Sequence, residues 1–346
     1  MVNGERQNIR TLSSQELNSW LDTIGEKSFR KKQVHEWLWQ KGARSFDSMT
    51  NLSKPLREKL NENFSLPSLS VDTRQESKDG TVKLRFKTSD GRFVEGVLIP
   101  AEDRMTACVS SQVGCSLTCS FCATGKMGRE RNLRFDEIFD QVVLLNEEAE
   151  KASGRRLTNI VYMGMGEPLL NYSEVMKSIE KITSPDSLAF SPRRITISTA
   201  GIAKMIRKLA DDDVRVRLAL SLHAANDKKR SEIMPINDQN NLESLMEALE
   251  YFYKKTFNRI SYEYILFDRL NDQVEDARQL MQLCRQFPVR VNLIEYNKVE
   301  GVPFHKSKAD RAQFFADFLN NHGVTATIRR SRGKDIDAAC GQLANK

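Results

Sequence analysis

From about residue 105 onward, the sequence alternates between short apolar runs and longer amphipathic segments. The runs that predict strands are 107–110, 159–163, 194–198, 214–221, 260–267, 289–295 and 325–330. Helical periodicity lies between them, as in 135–145 and 242–253. Repeated strand–helix units of this length predict an α/β fold with a parallel sheet, either open or closed into a barrel. The domain built on this pattern is expected to span residues 105–330.

The ends of these strands are candidate ligand positions, because reactive groups in such folds lie at the carboxyl ends of the strands. After the second predicted strand, Gly166 lets the backbone approach a ligand, and Glu167 can accept hydrogen bonds from an ammonium group. Later strand ends carry Ser198, Ser221, Leu222, His223 and Asn297. Each position alone is ordinary turn chemistry. Together they predict a site for a ligand with an amino-acid group.

The loop after the first predicted strand holds Cys115, Cys119 and Cys122 in a C-x3-C-x2-C pattern. Three thiolates on a short loop can bind three irons of a [4Fe–4S] cube and leave the fourth iron open. Structural zinc usually needs four ligands in two short pairs, and no second C-x-x-C or H-x3-5-H is present. The pattern therefore predicts a cluster. Structural zinc and three buried apolar cysteines are weaker alternatives.

Two further cysteines lie outside this triplet. Cys108 precedes it, and Cys340 lies in residues 331–346, whose glycines and polar residues predict a flexible tail. A cysteine on a mobile tail is a candidate nucleophile, and it could meet Cys108 if the tail folds over the barrel mouth. An inert tail residue is the alternative. Cys284 has the pattern of a helix core residue and is given no role.

Two regions precede the predicted barrel. Residues 1–68 predict a helical accessory domain, in which Ser13 and Glu16 form a capping box and Ser53 opens a third helix. Its basic residues are candidate RNA-binding contacts, and a solvated face explains them equally well. Residues 69–104 predict a β extension, because turn dipeptides alternate with strand-like runs. The dipeptides are Asp79-Gly80 and Asp90-Gly91, and the runs are 82–87 and 92–99.

Glu95 interrupts an otherwise apolar predicted strand. A carboxylate at such a position faces a polar cavity or is paired, and burial raises the pKa of a carboxyl group in a way that suits a general base. A glutamate that faces solvent on an edge strand is the alternative. At this point the sequence leaves both interpretations open.

Charge and hydropathy limit the partners. The net charge of +7 and the isoelectric point near 9.0 permit a nucleic-acid partner without requiring one. No apolar run is long enough for a membrane helix, and the first residues lack the apolar core of a signal peptide. We expect a cytoplasmic protein, since a reducing compartment suits thiolate ligands.

Longer motifs add a resemblance. The C-x3-C-x-Φ-C pattern, in which Φ is an aromatic residue, is similar to that of radical S-adenosylmethionine (SAM) enzymes. It is accompanied by CVSSQVGC, CATGKMG, GMGEPLLN, SPRRITISTAG, LALSLHAAND, MPIND and DIDAACGQL. With these motifs the chain resembles the RlmN/Cfr family of radical SAM RNA methyltransferases, and within it the adenosine-C2 enzymes. The resemblance implies an incomplete (β/α)6 barrel with a helical N-terminal accessory domain and a small β extension.

The resemblance also implies cofactors and their ligands. Cys115, Cys119 and Cys122 would bind a [4Fe–4S] cluster, and SAM would chelate the open iron. The residues that would hold SAM are Gly166, Glu167, Ser198, Ser221, Leu222, His223 and Asn297.

The chemistry implied by the resemblance proceeds in two stages. Cys340 would first receive a methyl group, and its carbon would then be added to C2 of an adenine as a radical. Glu95 would take the C2 proton, and Cys108 would attack Cys340 and release the product through a disulfide. The implied substrates are an adenosine in the peptidyl-transferase region of 23S rRNA and the adenosine next to the tRNA anticodon. A flavodoxin-like electron donor and a monomeric state are further expectations.

Two other functions compete with this one. A Cfr-type enzyme would methylate C8 of the same rRNA adenosine, and only Pro168 in GMGEPLLN favours the C2 enzymes. A non-catalytic RNA-binding protein with structural zinc is the second alternative. Basic residues are candidate phosphate contacts, although a solvated surface explains them equally well. They are Arg129, Arg131, Arg134, Arg329, Arg330, Arg332 and Lys334.

Overall fold

The first part of the fold is helical. The structure is a computed structural model that describes residues 6–345, so residues 1–5 and 346, at the ends of the predicted first and last regions, lie outside the described residues. The elements are β1 (Gln7–Asn8), α1 (Ser14–Thr23), α2 (Ser28–Trp39), α3 (Lys54–Asn63) and β2 (Phe64–Ser65). The capping box of Ser13 and Glu16 is present, and Ser53 caps α3. These helix starts are therefore confirmed.

The helical part shares its core with the rest of the chain. The guanidinium of Arg10 lies 2.6 Å from the carboxylate of Asp140, and both side chains are buried. Trp39 packs edge-on against Phe139, with 5.3 Å between the ring centroids. One continuous hydrophobic core includes residues of all four predicted regions. The boundaries at residues 68, 104 and 330 therefore remain predictions.

Three antiparallel strands follow. They are β3 (Ser70–Glu76), β4 (Val82–Lys87) and β5 (Phe93–Pro100). Gly80 and Gly91 have φ values of 81° and 82°, so the predicted turns form at residues that tolerate this conformation. The sequence did not predict β3, because its side chains are polar and mostly exposed. It pairs with β4 through backbone hydrogen bonds that do not depend on an apolar face.

The remainder forms the predicted strand–helix units. The elements are β6 (Met105–Cys108), β7 (Gln112–Gly114), α4 (Ala123–Lys126), β8 (Arg129–Asn132), α5 (Phe135–Ser153), β9 (Asn159–Tyr162), α6 (Tyr172–Thr183), β10 (Ile195–Thr199), α7 (Ala203–Asp211), β11 (Arg217–Ser221), α8 (Asp227–Ile233), α9 (Leu242–Thr256), β12 (Ile260–Leu266), α10 (Val274–Leu283), β13 (Val289–Glu295), α11 (Ala309–Asn321) and β14 (Ala326–Arg329). Each predicted strand is present, with its ends shifted by up to three residues.

A ten-stranded sheet joins both β regions in the order β14-β13-β12-β11-β10-β9-β6-β5-β4-β3. The pairs from β6 through β14 are parallel, and β5 pairs antiparallel with β6. Helices follow each of the first six parallel strands, and β14 adds a seventh strand at the open edge. The α/β class and the incomplete (β/α)6 barrel are confirmed. Among residues 6–345, no helix is both long and apolar enough to cross a membrane.

Candidate active site

The candidate site lies where the parallel strands end. Ser198 and Ser221 occupy neighbouring strands, and their Oγ atoms lie 3.4 Å apart. The register pairs Ser198 with Ala219, so both hydroxyls are at the carboxyl edge of the sheet. Polar groups that are distant in sequence therefore meet at the edge where ligands of parallel α/β proteins bind.

Gly166 lies where two backbone segments approach closely. Its φ is 95°, and a Cβ atom there would lie 2.5 Å from Cβ of Gln112. A side chain at this position would therefore be strained by the backbone conformation and would also collide with β7. The predicted close approach is real in this structure. It brings Gln112, which the sequence analysis did not identify, against the loop that carries Glu167, where its Oε1 accepts a hydrogen bond from the Glu167 amide at 2.9 Å.

Glu167 is buried and held by backbone donors. The amides of Leu169 and Ala200 donate to its two carboxylate oxygens, at 3.0 and 2.7 Å. Burial raises the pKa of Glu167, while these hydrogen bonds act in the opposite direction. Each carboxylate oxygen has a second lone pair, so the group can still accept a hydrogen bond from an ammonium group.

His223 is a buried, neutral imidazole at the end of β11. Burial, together with the nearby charge of Arg230, lowers its pKa to about 3. Its Nδ1 accepts a hydrogen bond from the amide of Ile265 at 3.1 Å, so the proton resides on Nε2. The preceding residue, Leu222, is also buried, and its amide donates to the carbonyl of Glu263 at 3.0 Å. His223 can therefore offer one N–H donor.

Arg230 is a site residue that the sequence analysis missed. It is fully buried, and it donates to the carbonyls of Ala200 and Leu222 at 2.5 and 3.1 Å and to Asn237 at 2.8 Å. Burial lowers its pKa to about 10. These bonds fix the backbone of two strand ends in one geometry. No sequence pattern marks Arg230, because it stands among other charged residues of a short helix.

The three loop cysteines lie together beyond β7. Burial raises the pKa of Cys115 to about 11, and for Cys119 the charges of Cys122 and Cys115 add to the effect of burial. Within residues 6–345, no three His, Cys, Asp or Glu side chains converge as the ligands of one metal ion. A [4Fe–4S] cube does not require such convergence, because each thiolate binds a different iron. The donor set therefore fits a cluster better than zinc.

Cys108 lies at the end of β6 and close to Cys340. Burial raises the pKa of Cys108 to about 12, and the charge of Cys340 contributes next. Both cysteines are free thiols in this structure, Cys108 buried and Cys340 exposed. The structure therefore brings together the two cysteines that stand outside the triplet, as the sequence analysis expected if the tail folds over the barrel mouth.

The tail itself is docked, so the expectation of a flexible tail is wrong for this structure. The amide of Ala123 donates to the carbonyl of Gly341 at 2.8 Å, and the hydroxyl of Thr124 donates to the carbonyl of Leu343 at 2.6 Å. Asn297, a predicted ligand residue, donates from Nδ2 to the carbonyl of Cys340 at 3.4 Å. The glycines and polar residues allow the tail to follow the site through backbone hydrogen bonds instead of leaving it free.

Glu95 is fully buried, so the alternative of a solvent-facing glutamate is excluded. Its Oε1 atom lies 3.3 Å from Nζ of Lys83, which is also buried. Its Oε2 atom accepts hydrogen bonds from the amides of Ala344 and Asn345, at 2.9 and 3.1 Å. Neither Lys83 nor these amides were expected, and they place the tail directly on the carboxylate.

Some candidate phosphate contacts are occupied by carboxylates. Arg131 forms ion pairs with Asp90 and Glu137, each at 2.8 Å. Arg134 pairs with Asp136 at 3.0 Å, and Lys334 pairs with Glu295 at 2.7 Å. These side chains stabilise loops of the protein. Arg329 lies near Cys108 and Cys340, and the charge of Cys340 is the main reason why the pKa of Arg329 is raised.

Comparison with protein families agrees with this geometry. Residues 7–66 match the ribosomal RNA large subunit methyltransferase N-terminal domain, and residues 109–281 match the radical SAM superfamily. The first match covers the helical part, and the second covers most of the parallel sheet.

Relatives and a solved structure match almost the whole chain. The chain is 56% identical to a probable dual-specificity RNA methyltransferase RlmN of Cytophaga hutchinsonii, over 98% of this chain and 93% of the relative. It is 54% identical to a protein of the same name from Christiangramia forsetii, over 100% and 98%. A crystal structure of a radical SAM methyltransferase from Sphaerobacter thermophilus superposes with a TM-score of 0.93 at 40% identity, covering 98% and 100%. The chain belongs to the RlmN family of radical SAM RNA methyltransferases.

Proposed function

We propose that the chain methylates C2 of an adenosine in the peptidyl-transferase region of 23S rRNA and of the adenosine next to the tRNA anticodon. The observation that carries the proposal is the meeting of a docked tail cysteine, a buried cysteine and a buried glutamate at one sheet edge. Cys340, Cys108 and Glu95 supply a carrier, a second thiol and a proton acceptor. The name of these relatives, probable dual-specificity RNA methyltransferase RlmN, supports two kinds of RNA substrate.

The described donors fit the cofactors that radical SAM enzymes use, a [4Fe–4S] cluster and SAM. Cys115, Cys119 and Cys122 would hold the cluster. The residues that would hold SAM are Gly166, Glu167, Ser198, Ser221, Leu222, His223 and Asn297. When bound, the pair supplies a methyl group and a radical that removes hydrogen from carbon. The neutral ring of His223 and the backbone-held carboxylate of Glu167 supply one donor and one acceptor for the ligand.

Adenine C2 explains why the chain needs three reactive side chains. This carbon is electron-poor and has no acidic proton, so direct nucleophilic transfer of a methyl group fails and a radical route requires a cofactor. The Cys340 sulfur accepts the methyl group. After this group has lost one hydrogen atom, its carbon adds to C2 as a radical, and Glu95 removes the C2 proton from the resulting adduct. The one electron that remains in excess on the adduct would return to the bound cluster. The Cys108 thiolate attacks the Cys340 sulfur, the carbon leaves with the electron pair and gains a proton, and a disulfide remains.

The RNA must reach this edge in an unstacked form. A base inside a folded RNA is accessible to a radical site only when it is extruded from its stack. We further propose that the protein acts in the cytoplasm as a monomer and that a flavodoxin-like donor supplies electrons. Reduction of the disulfide between Cys108 and Cys340 would prepare both thiols for another turnover.

The direct test assays rRNA and tRNA side by side with the reconstituted enzyme under anaerobic conditions. Mass spectrometry of the nucleosides should reveal 2-methyladenosine from both RNAs. The finding of 8-methyladenosine would contradict the C2 assignment in favour of the Cfr-type reaction, and colourless zinc protein without SAM cleavage would support the RNA-binding alternative. Product from rRNA alone would restrict the proposal to one substrate.

The two cysteine roles predict different failures. Cys340→Ala should abolish methyl loading of the protein, because no carrier sulfur remains. Cys108→Ala should accumulate a covalent RNA–protein adduct, because the thiol that releases the product is missing. Cys284→Ala is the matched control, since Cys284 lies at the end of α10. Intact mass measurement of the protein distinguishes these outcomes, and free product from Cys108→Ala would contradict the releasing role.

A further inference from the structure

Glu95 is covered by chemical groups that hold it from two sides. Lys83 lies on β4, and its ammonium is 3.3 Å from Oε1 of Glu95, with both side chains almost completely excluded from solvent. On the other side, two consecutive tail amides donate to Oε2. Oε1 makes no hydrogen bond within the described residues. The carboxylate is therefore oriented, but RNA cannot reach it in this arrangement.

The segment that covers Glu95 is fastened to the strand that carries it. The side-chain amide of Asn345 donates to the carbonyl of Phe93 at 2.9 Å, and Arg85 donates to the carbonyl of Asn345 at 3.1 Å. Asn345 adopts a φ of 59°, a left-handed conformation that asparagine tolerates better than most residues. These specific contacts indicate a defined docking position for the end of the tail.

A proton acceptor must come within hydrogen-bond reach of the atom that loses the proton, and a fully buried carboxylate under the tail offers no such approach. We infer that Ala344 and Asn345 cap the base through their amides, and that Lys83 is a positioning residue that keeps Glu95 oriented after the cap leaves. Release of the cap exposes the base without moving Lys83, because β4 and β5 are joined by backbone hydrogen bonds. The tail thus controls access to Glu95 as well as carrying Cys340. The inference rests on the proposed function for the role of Glu95 as a base.

Carboxyl labelling with a carbodiimide and glycine ethyl ester tests the cap in the full-length protein without cofactors or RNA. Ala344→Pro removes one donor, and Ala344→Ser retains it as the matched control. We expect Glu95 labelling to rise about tenfold in Ala344→Pro and to stay unchanged in Ala344→Ser, because local opening controls access. Glu167 should stay unlabelled in both, which separates local release from unfolding. Equal Glu95 labelling in the two variants overturns the cap.

Hydrogen exchange tests the same contact from the tail. In Glu95→Ala, the amides of Ala344 and Asn345 lose their acceptor, so their exchange should accelerate by about tenfold. Exchange of the Ala200 amide, which donates to Glu167, is the internal reference and should stay slow. Unchanged exchange at both tail amides in this variant would also overturn the cap.

The positioning role of Lys83 is tested by a conservative rescue. Lys83→Met removes the cation but retains length, whereas Lys83→Arg retains the charge. With loaded enzyme, carbon transfer to RNA should fall about tenfold or more in Lys83→Met and recover in Lys83→Arg. Equal rates in the two variants overturn the positioning role. If Glu95 labelling does not rise in Ala344→Pro but 2-methyladenosine forms normally, the cap is rejected and the proposed function stands. If Glu95 labelling rises but no 2-methyladenosine forms, the proposed function alone is rejected.

Discussion

Two buried glutamates, one on the barrel and one on the β extension, are held in different ways. Glu167 receives hydrogen bonds from Leu169 and Ala200, which belong to the backbone of the barrel itself. Glu95 receives them from the last residues of the tail and faces Lys83. The donors on Glu167 cannot leave without unfolding a strand end, whereas those on Glu95 can leave with the tail. Donors that stay in place suit a carboxylate that binds a ligand, and donors that can leave suit a carboxylate that acts once per turnover.

The largest expected effect concerns Glu95, whose hydrogen-bond donors can leave with the tail. Glu95→Ala should slow carbon transfer by roughly 10²- to 10⁴-fold, because a positioned base contributes about that much. Methyl loading of Cys340 should persist, since the proposed role of Glu95 follows loading. Intact protein mass reports loading, and nucleoside mass spectrometry reports product. Full turnover of the variant would contradict the assignment of Glu95 as the base, and the functional contrast with Glu167 would no longer hold.

Gly166→Ala should destabilise the loop that carries Glu167. The added Cβ atom would lie 2.5 Å from Gln112 at a φ of 95°, so we expect a loss of about 3 kcal/mol in the free energy of unfolding. Gly154→Ala is the matched control, because its φ is 67° but no atom lies within 4 Å of the added Cβ. That variant should lose about 1 kcal/mol. Urea unfolding measures both, and equal losses would show that the close approach at Gly166 carries no cost.

Glu167→Ala should fail one step earlier than Glu95→Ala. Loss of a charged acceptor should weaken SAM binding about 10- to 100-fold, so that Cys340 is not loaded at limiting SAM. Anaerobic titration calorimetry with reconstituted enzyme measures the affinity. Glu180→Ala on the exposed side of α6 is the control and should bind SAM normally. Normal affinity in Glu167→Ala would contradict its placement in the SAM site.

The smallest expected effect is a pH dependence that comes from the barrel edge. The folded pKa of His223 is about 3, below its ordinary value of 6.5, so the unfolded chain binds a proton first as pH falls. Stability from this group is fully present above pH 6.5 and is lost progressively as the pH falls toward 3. His223→Gln should reduce that slope, and His322→Gln, an exposed control, should not. Equal slopes in urea unfolding at several pH values would contradict the burial of a neutral His223.

The barrel could be predicted because the sequence signals for its strands and helices each lie within a short segment of the chain. Apolar runs, helical periodicity and turn residues each specify a short segment, and the strand ends then follow from topology. The surroundings of Glu95 could not be predicted in this way. Lys83 reaches it from the neighbouring strand, where the register pairs Glu95 with Arg85 and leaves Lys83 as a diagonal neighbour. No periodicity in one strand specifies which side chain of the next strand will be its partner.

The tail and Arg230 show the same limit. The composition of residues 331–346 predicted a flexible tail, and it could not show that the amide of Ala123, the hydroxyl of Thr124 and the carboxylate of Glu95 hold the tail in place. Arg230 is buried because carbonyls of two separate strand ends converge on it. Such convergence exists only after the sheet has formed. The charge of Arg230 therefore suggested a side chain exposed to solvent, whereas the fold surrounds it with carbonyl acceptors.

The short chain segment from Cys340 to Ala344 limits how far Cys340 can move away from Glu95. Four residues of extended chain span at most about 14 Å. While the amide of Ala344 remains on Glu95, the backbone of Cys340 is tethered within that radius of the carboxylate. As the proposed carrier, Cys340 can therefore serve a cofactor and a proposed base that lie within this radius, but any longer excursion must first detach the end of the chain. Inserting residues between Cys340 and Ala344 would separate the two events, and shortening the segment would couple them more tightly.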